Sequence, residues 1–409
     1  MNILFLCHRI PFPPNKGDKI RSFNEIKYLS KRHSIFLGTI LEEESDKTNL
    51  EALEKYCTEI HAVRFNRKWK LLKCLFSGKS FSVSNFYDKK LQRYIDRTFK
   101  EKKIDAVICY CSSMAKYIFE SPLYKEKRLG DTKLIMDFVD LDSDKWLQYS
   151  RYSRFPLSLV YRIENRRLFN YEIEINQQFD HSVFVSQREV KVFKALYPEA
   201  RNVTVIPNGV DYEYFHPKEK AIDEEQEKSS WQPKLVFTGV MDYFANEDGV
   251  RWFCGKIFPR IKAEFPCVQF YIVGNKPTGV VKNLSKIEGV TVTNYVDDIK
   301  RYYWMADVCV IPLRIARGLQ NKVLEAMATG NAVVASSNAS DGIICHRNID
   351  IVIADDEEAF AREVISLLKD ENRRKEMAKR AVENIRSYYS WESNLQAFEE
   401  ILDKKKAHS

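Results

Sequence analysis

The sequence predicts an α/β protein of two Rossmann-like domains, each a parallel sheet with helices on both faces. Three observations predict it. Apolar runs of strand length alternate with helical stretches, as strand–helix–strand crossovers require. The alternation breaks once, at Val203-Thr204-Val205-Ile206-Pro207-Asn208-Gly209-Val210-Asp211, and then restarts. The length, 409 residues, exceeds one typical domain, and an apolar content of 44% can fill two cores.

In the first half, residues 2–7 form an apolar run with no basic stretch before it, too short for a signal-peptide core, and read as the first strand. Residues 34–40, 60–65, 105–110, 134–139 and 181–185 are the next five. The segment 203–211 closes this half, and its Pro-Asn-Gly is a turn signal in any protein. Residues 218–228 carry mixed charge and read as a solvated loop. The second half supplies strands at 234–238, 268–273, 290–293, 307–312, 332–335 and 349–353. From 355 to 405 the pattern is helical, with Phe360, Val364, Leu367 and Leu368 at helical spacing. The expected boundaries are 1–205, 206–388 and a terminal helix over 389–409.

Composition narrows the function classes. The longest apolar runs fall far short of the ~20 residues that span a bilayer, which argues against an integral membrane protein. Nine cysteines, none at Cys-x-x-Cys spacing, read as reduced core thiols of a cytoplasmic protein. Charge is uneven: residues 1–205 hold 37 Lys and Arg against 26 Asp and Glu, the remainder 28 against 31. The basic half is expected to face an anionic partner. Within it, residues 64–103 hold 13 basic and 3 acidic residues interleaved with Trp69, Leu71, Leu72, Leu75, Phe76 and Phe81. That mixture suits an anionic membrane surface, or equally a solvated basic helix face. No nucleic-acid-binding module accompanies the charge.

The chemistry concentrates at Arg317-Gly318-Leu319-Gln320-Asn321-Lys322-Val323-Leu324-Glu325-Ala326-Met327-Ala328-Thr329-Gly330, between two buried-strand runs. Val323, Leu324, Met327 and Ala328 recur at helical spacing, and Gly330 stands where a helix end favours positive φ. The first turn of such a helix has free N–H groups, and Gly318 lets a ligand approach them. Lys322 adds a positive charge, and Glu325, one turn in, can accept two hydroxyl hydrogen bonds from a ribose. Diphosphate plus ribose means a nucleotide.

This stretch resembles the C-terminal signature of family 4 glycosyltransferases of the GT-B fold, in which two Glu residues bracket a glycine-containing turn. Glu325 matches the second Glu, and Arg317 stands in place of the first. The Gly-Leu-Gln-Asn-Lys-Val-Leu-Glu variant looks like that of bacterial exopolysaccharide sugar transferases, including those associated with exosortase (PEP-CTERM) systems. The resemblance implies two domains whose parallel sheets face across a cleft, a last helix crossing back to the first domain, and the interdomain signature at 203–211. It also implies a retaining hexosyl transfer from a nucleotide-sugar donor to a lipid-linked or glycan acceptor, with no cofactor and no metal. The setting would be the inner face of the cytoplasmic membrane.

Site residues follow from the same resemblance. The loop after the first strand, with Lys16, Gly17 and Arg21, reaches the donor diphosphate and the acceptor side, unless it is a rigid surface loop. Asp140 stands where the family often carries a histidine; it would contact the sugar or take the acceptor's proton, cap a helix, or join Asp137, Asp142 and Asp144 around a metal. Gly239 begins the donor loop, but Val240 replaces the usual arginine, so Lys322, Arg314 and Arg317 must supply the charge. Arg317 would then hold diphosphate, read an acidic donor sugar, or lie on the surface without a ligand. Asn275, Tyr295 and Val296 fall in loops that contact the base, with Gly318 and Leu319 beside the phosphates. Two other readings are a non-catalytic nucleotide-sugar-binding partner of a polysaccharide assembly complex and a GT-B sugar-nucleotide epimerase.

Overall fold

The computed structural model describes residues 1–14, 17–42, 44–64, 78, 80–218, 231–316 and 318–404. Lys16, Arg317 and most of the basic stretch around Trp69 lie outside them. The chain divides into two units, Met1–Pro207 together with Leu395–Ser409, and Asn208–Asn394.

The first unit holds a seven-stranded sheet: β1 (Asn2–Cys7), β2 (Ser34–Leu41), β3 (Glu59–Arg64), β4 (Ala106–Tyr110), β5 (Lys133–Val139), β6 (His181–Phe184) and β7 (Val203–Val205). Their order is β3-β2-β1-β4-β5-β6-β7 and every pairing is parallel. The second unit holds β8 (Lys234–Thr238), β9 (Gln269–Val273), β10 (Val290–Val292), β11 (Val308–Ile311), β12 (Ala332–Ala335) and β13 (Val352–Ile353), in the order β10-β9-β8-β11-β12-β13 and again all parallel. In both sheets the order reverses beside the first strand, between β1 and β4 and between β8 and β11. Open α/β sheets bind ligands outside the carboxyl ends of strands at such a switch point.

All twelve expected strands are present. The thirteenth, β7, is three half-buried residues at a sheet edge, too short for an apolar period to reveal. Residues 349–353 contribute only two residues to β13, because a turn held by His346 and Asp350 occupies the rest: Asp350 Oδ1 accepts from the His346 N–H at 2.7 Å. The helical tail resolves into Glu357–Lys369, Glu371–Tyr388 and Trp391–Asp403. The last of these ends against Lys133, whose ammonium donates to the carbonyls of Ile401 and Leu402 at 2.7 and 2.9 Å. A cation at that end also complements the helix dipole.

Arg21, expected on the acceptor side, is instead wholly buried at 0% exposure. Its Nε donates to Asp137 Oδ2 at 2.8 Å and lies 2.9 Å from Glu25 Oε1, while Nη1 donates to the carbonyl of Ile206 at 2.7 Å. The guanidinium thus ties the helix Gly17–Leu29 to β5 and to the chain beyond β7. Burial and the nearby Asp137 push the Glu25 carboxyl well above its ordinary value, which favours its neutral form beside Arg21. A basic residue in a short motif carries no mark of which face of the helix it will occupy.

Buried carboxylates also set the carboxyl edge of the first sheet. On the long helix Leu157–Gln178, Glu164 accepts from Ser80 Oγ and from the N–H groups of Phe81 and Ser82, at 2.5, 3.0 and 3.0 Å. Glu172 does the same at Ser143, through its N–H at 3.1 Å and its hydroxyl. These two side chains cap the first turns of the helices Phe81–Asn85 and Asp142–Tyr152, where N–H groups lack intrahelical partners. The loop carrying Asp140 is held by Glu189, whose Oε2 accepts from the Leu141 N–H at 2.8 Å.

Candidate functional site

In the second unit the site is built at the switch point between β8 and β11. β11 leads through Gly318, at φ +60°, into the helix Asn321–Ala328. Gln320 precedes that helix without a side-chain cap; its carbonyl accepts from the Val323 N–H at 2.9 Å, which leaves the N–H groups of Asn321 and Lys322 for a ligand. Val323, Leu324, Ala326, Met327 and Ala328 face the core, which turns Lys322 and Glu325 to the other side. Asn208 steadies the start, its Nδ2 donating to Asn321 Oδ1 at 2.9 Å. Gly209 is required beside it, because a Cβ there would lie 2.4 Å from the backbone nitrogen of Trp391. Gly318 and the neighbouring Leu319 are both buried, Leu319 packing the turn into the unit.

Lys322 points at the end of β8. Its Nζ donates to Asn246 Oδ1 at 2.5 Å and lies 4.5 Å from the centroid of the Phe237 ring. A Cβ on Gly239 would meet Asn246 Nδ2 at 2.7 Å and Lys322 Nζ at 3.0 Å, so the cradle for this ammonium exists only because residue 239 is glycine. The next strand end is as tight. A Cβ on Gly274, at φ +149°, would stand 1.7 Å from the carbonyl oxygen of Gly239. Gly239 N–H bonds the Val273 carbonyl and Met241 N–H the Asn275 carbonyl, both at 2.9 Å, which locks the two loops together.

Burial lowers the Lys322 ammonium to about 7, with Glu325 pulling the other way. Burial likewise raises the Glu325 carboxyl, opposed by Tyr303 and Lys322. Tyr303 donates its hydroxyl proton to Glu325 Oε2 at 3.0 Å, so Thr238, 2.7 Å from the same phenol oxygen, is the donor there. This fixes one carboxylate oxygen, and Oε1 has no partner among the described residues. The site offers a cation of adjustable charge, free helix N–H groups and an oriented carboxylate one turn further on. Arg314 does not join them: it pairs bidentately with Asp248, at 2.9 and 2.5 Å, beside Trp252. Asn275 and Val296 lie in the loops after β9 and β10, and Tyr295 there is 67% exposed. Asn275 Oδ1 is buried without a partner.

In the first unit, Asp140 follows β5 directly. Val139 before it has φ +63°, a strained conformation for a β-branched residue. The strain turns the chain out of the sheet, and Asp140 Oδ1 ends buried without a partner. Burial, then Glu189 and Asp142, raise this carboxyl to about 7. The other acids nearby have separate tasks: Asp137 pairs with Arg21, and Asp142 and Asp144 begin the next helix. Among the described residues no three His, Cys, Asp or Glu side chains form a metal-binding group. Gly17 is exposed at the start of its helix, far from the Asp140 loop in sequence.

Sequence reasoning missed His8 and Cys111, which meet across the β1/β4 switch point. Cys111 Sγ lies 3.1 Å from His8 Nδ1, and His8 Nε2 lies 3.6 Å from Asp18 Oδ2. Burial, reinforced by Arg9, keeps the imidazole neutral, and burial keeps Cys111 a thiol. The thiol then donates to Nδ1, leaving the His8 proton on Nε2. Cys111 has φ +68°, the same kind of strain as Val139 on the adjacent strand. The available signal was position: both residues directly follow strands, where α/β ligands bind.

Comparison with known proteins places these units. Residues 232–370, within the second unit, match the family described as Glycosyl transferases group 1. Over 402 residues, 95% of this chain and 96% of the other, the sequence is 22% identical to an uncharacterized 44.6 kDa protein in the cps region of Klebsiella pneumoniae. Sucrose-phosphate synthase from Thermosynechococcus elongatus superposes with TM-score 0.69 at 14% identity, covering 98% of each chain. Anabaena HepE in complex with UDP-glucose superposes with TM-score 0.67 at 15% identity, covering 98% of this chain and 99% of its own. The chain has the GT-B fold.

Proposed function

We propose that the protein is a glycosyltransferase that moves a hexose from a nucleotide-sugar to a glycan or lipid-linked acceptor, with retention, in the assembly of a cell-surface or exported polysaccharide. The observation that carries this reading is the pair Lys322 and Glu325, one helical turn apart at the β8/β11 switch point, within the stretch that matches the group 1 domain. UDP-glucose bound by the structurally similar HepE, and the cps location of the Klebsiella relative, support the donor class and the setting.

In this reading Glu325 Oε1 accepts from the ribose diol, and Lys322 and the helix N–H groups hold the diphosphate. As the sugar–phosphate bond breaks, charge grows on the leaving phosphate, which the ammonium stabilises more than the ground state. The reading calls for no metal and no cofactor. The acceptor is assigned to the first unit, where Asp140 and the Nε2–H of His8 offer a proton acceptor and a donor for sugar hydroxyls.

Glu325→Ala is expected to weaken UDP binding by about 1.5–3 kcal/mol, the range for hydrogen bonds to a charged group. Glu325→Gln retains the shape and should lose less. Calorimetric titration with UDP checks this, and equal affinity in wild type and Glu325→Ala would remove Glu325 from the donor site. Release of nucleotide from a nucleotide-sugar panel, with and without lipid acceptor, tests the reaction itself. Acceptor-dependent release supports transfer, while tight binding without release points to the non-catalytic partner.

A further inference from the structure

We infer that the turn between the helices Asp142–Tyr152 and Leu157–Gln178 is a membrane-docking element that inserts apolar side chains among anionic lipid headgroups. The observation is a set of large apolar residues on the outside of the protein: Phe155 is 80% exposed, Leu157 54%, Leu159 51% and Ile163 38%. They are not displaced core residues. The core-facing stripe of the long helix is Glu164, Leu168, Glu172 and Ile175, on a different side. Leu159, Arg162, Ile163 and Arg166 recur at i, i+3, i+4 and i+7, which makes a second stripe of one face.

Charge selects the occupant. Arg151, Arg154, Arg162 and Arg166 are exposed around the apolar side chains, and none pairs with an acid among the described residues. The acid within this stretch, Glu164, is buried and capping another helix. An apolar tip ringed by arginines is the pattern of an interfacial element: the side chains enter the acyl boundary while guanidinium groups stay at the phosphates. No helix among the described residues is long and apolar enough to cross a membrane, so this contact would be peripheral. It lies in the basic half of the chain but apart from residues 64–103, and it does not depend on the donor-site reading.

The test is co-sedimentation of the full chain with vesicles of phosphatidylcholine alone or mixed with phosphatidylglycerol. Binding is expected only with the anionic lipid and should fall as salt rises. The double variants Phe155→Asp/Leu159→Asp and Arg154→Glu/Arg162→Glu should each lower the partition at least about ten-fold, with thermal melting unchanged, since all four side chains are exposed. Equal binding to neutral vesicles, or unchanged partition in both variants, would overturn the inference. So would loss of binding in Lys68→Glu/Lys70→Glu while the turn variants bind normally. A dimer that Phe155→Asp converts to monomer without changing lipid partition would make the occupant a second copy of the chain, and would also overturn it.

Discussion

Lys322→Met is expected to lower turnover by roughly a hundred- to a thousand-fold, the loss typical when one electrostatic stabiliser of a developing anion is removed. Methionine fills the channel between Asn246 and the Phe237 ring but brings no charge. Arginine should not rescue it, because the ammonium sits against Gly239, where even a Cβ would lie 3.0 Å away. The same residue predicts a pH dependence. In the free protein burial holds Lys322 near 7, and a bound diphosphate must raise it. The complex then binds more protons than the free protein above pH 7. Affinity for UDP should therefore be level below about pH 7 and fall towards tenfold per pH unit above it. For folding the sign is opposite: the unfolded lysine is protonated up to about 10.5, so this group makes the native state more stable as pH rises from 7 towards that value. Titration of UDP from pH 6.5 to 9 checks the binding limb. A Lys322→Met protein with the wild-type pH slope would assign the slope to another group.

Arg21→Met should cost about 3–5 kcal/mol of stability in the first unit, because it breaks the buried Arg21–Asp137 ion pair and leaves Asp137 Oδ2 without the guanidinium, while Oδ1 keeps only the Val139 N–H. The Ile206 carbonyl would lose its donor too. Glu25→Gln is expected to cost less than about 1 kcal/mol, since the acid it replaces is already neutral in the folded state. It should also remove a pH dependence. With Glu25 raised in the native state, folding takes up a proton above the ordinary carboxyl range, and wild-type stability falls as pH rises from about 4.5 through the raised value. Urea unfolding, followed by a probe in the first unit, reads both variants. An Arg21→Met protein as stable as wild type would mean that the cluster does not depend on the guanidinium.

Much of this was legible in the residues themselves. Strand-length apolar runs, their alternation with helices, the break near Pro207 and the restart needed only local periodicity. The helix Asn321–Ala328 and the outward placement of Lys322 and Glu325 follow from four apolar residues at helical spacing after a glycine. These are properties of neighbours in sequence, which a backbone period of about two or 3.6 residues imposes wherever it occurs.

What only the tertiary structure decided depends on strand order. Lys322 meets Asn246 across 76 residues, His8 meets Cys111 across 103, and Arg21 meets Asp137 across 116. Each pair joins segments that become adjacent only because β8 lies beside β11, or because β1 and β4 bring their loops towards the neighbouring β5. No local period encodes that adjacency. It also sets the local dielectric, and so converts an ordinary lysine into one that titrates near 7 and an expected acceptor-side arginine into a buried strut. Residue type and spacing determined which groups this protein could bring to a switch point. Burial, which depends on packing over the whole unit, decided which of them carry charge there.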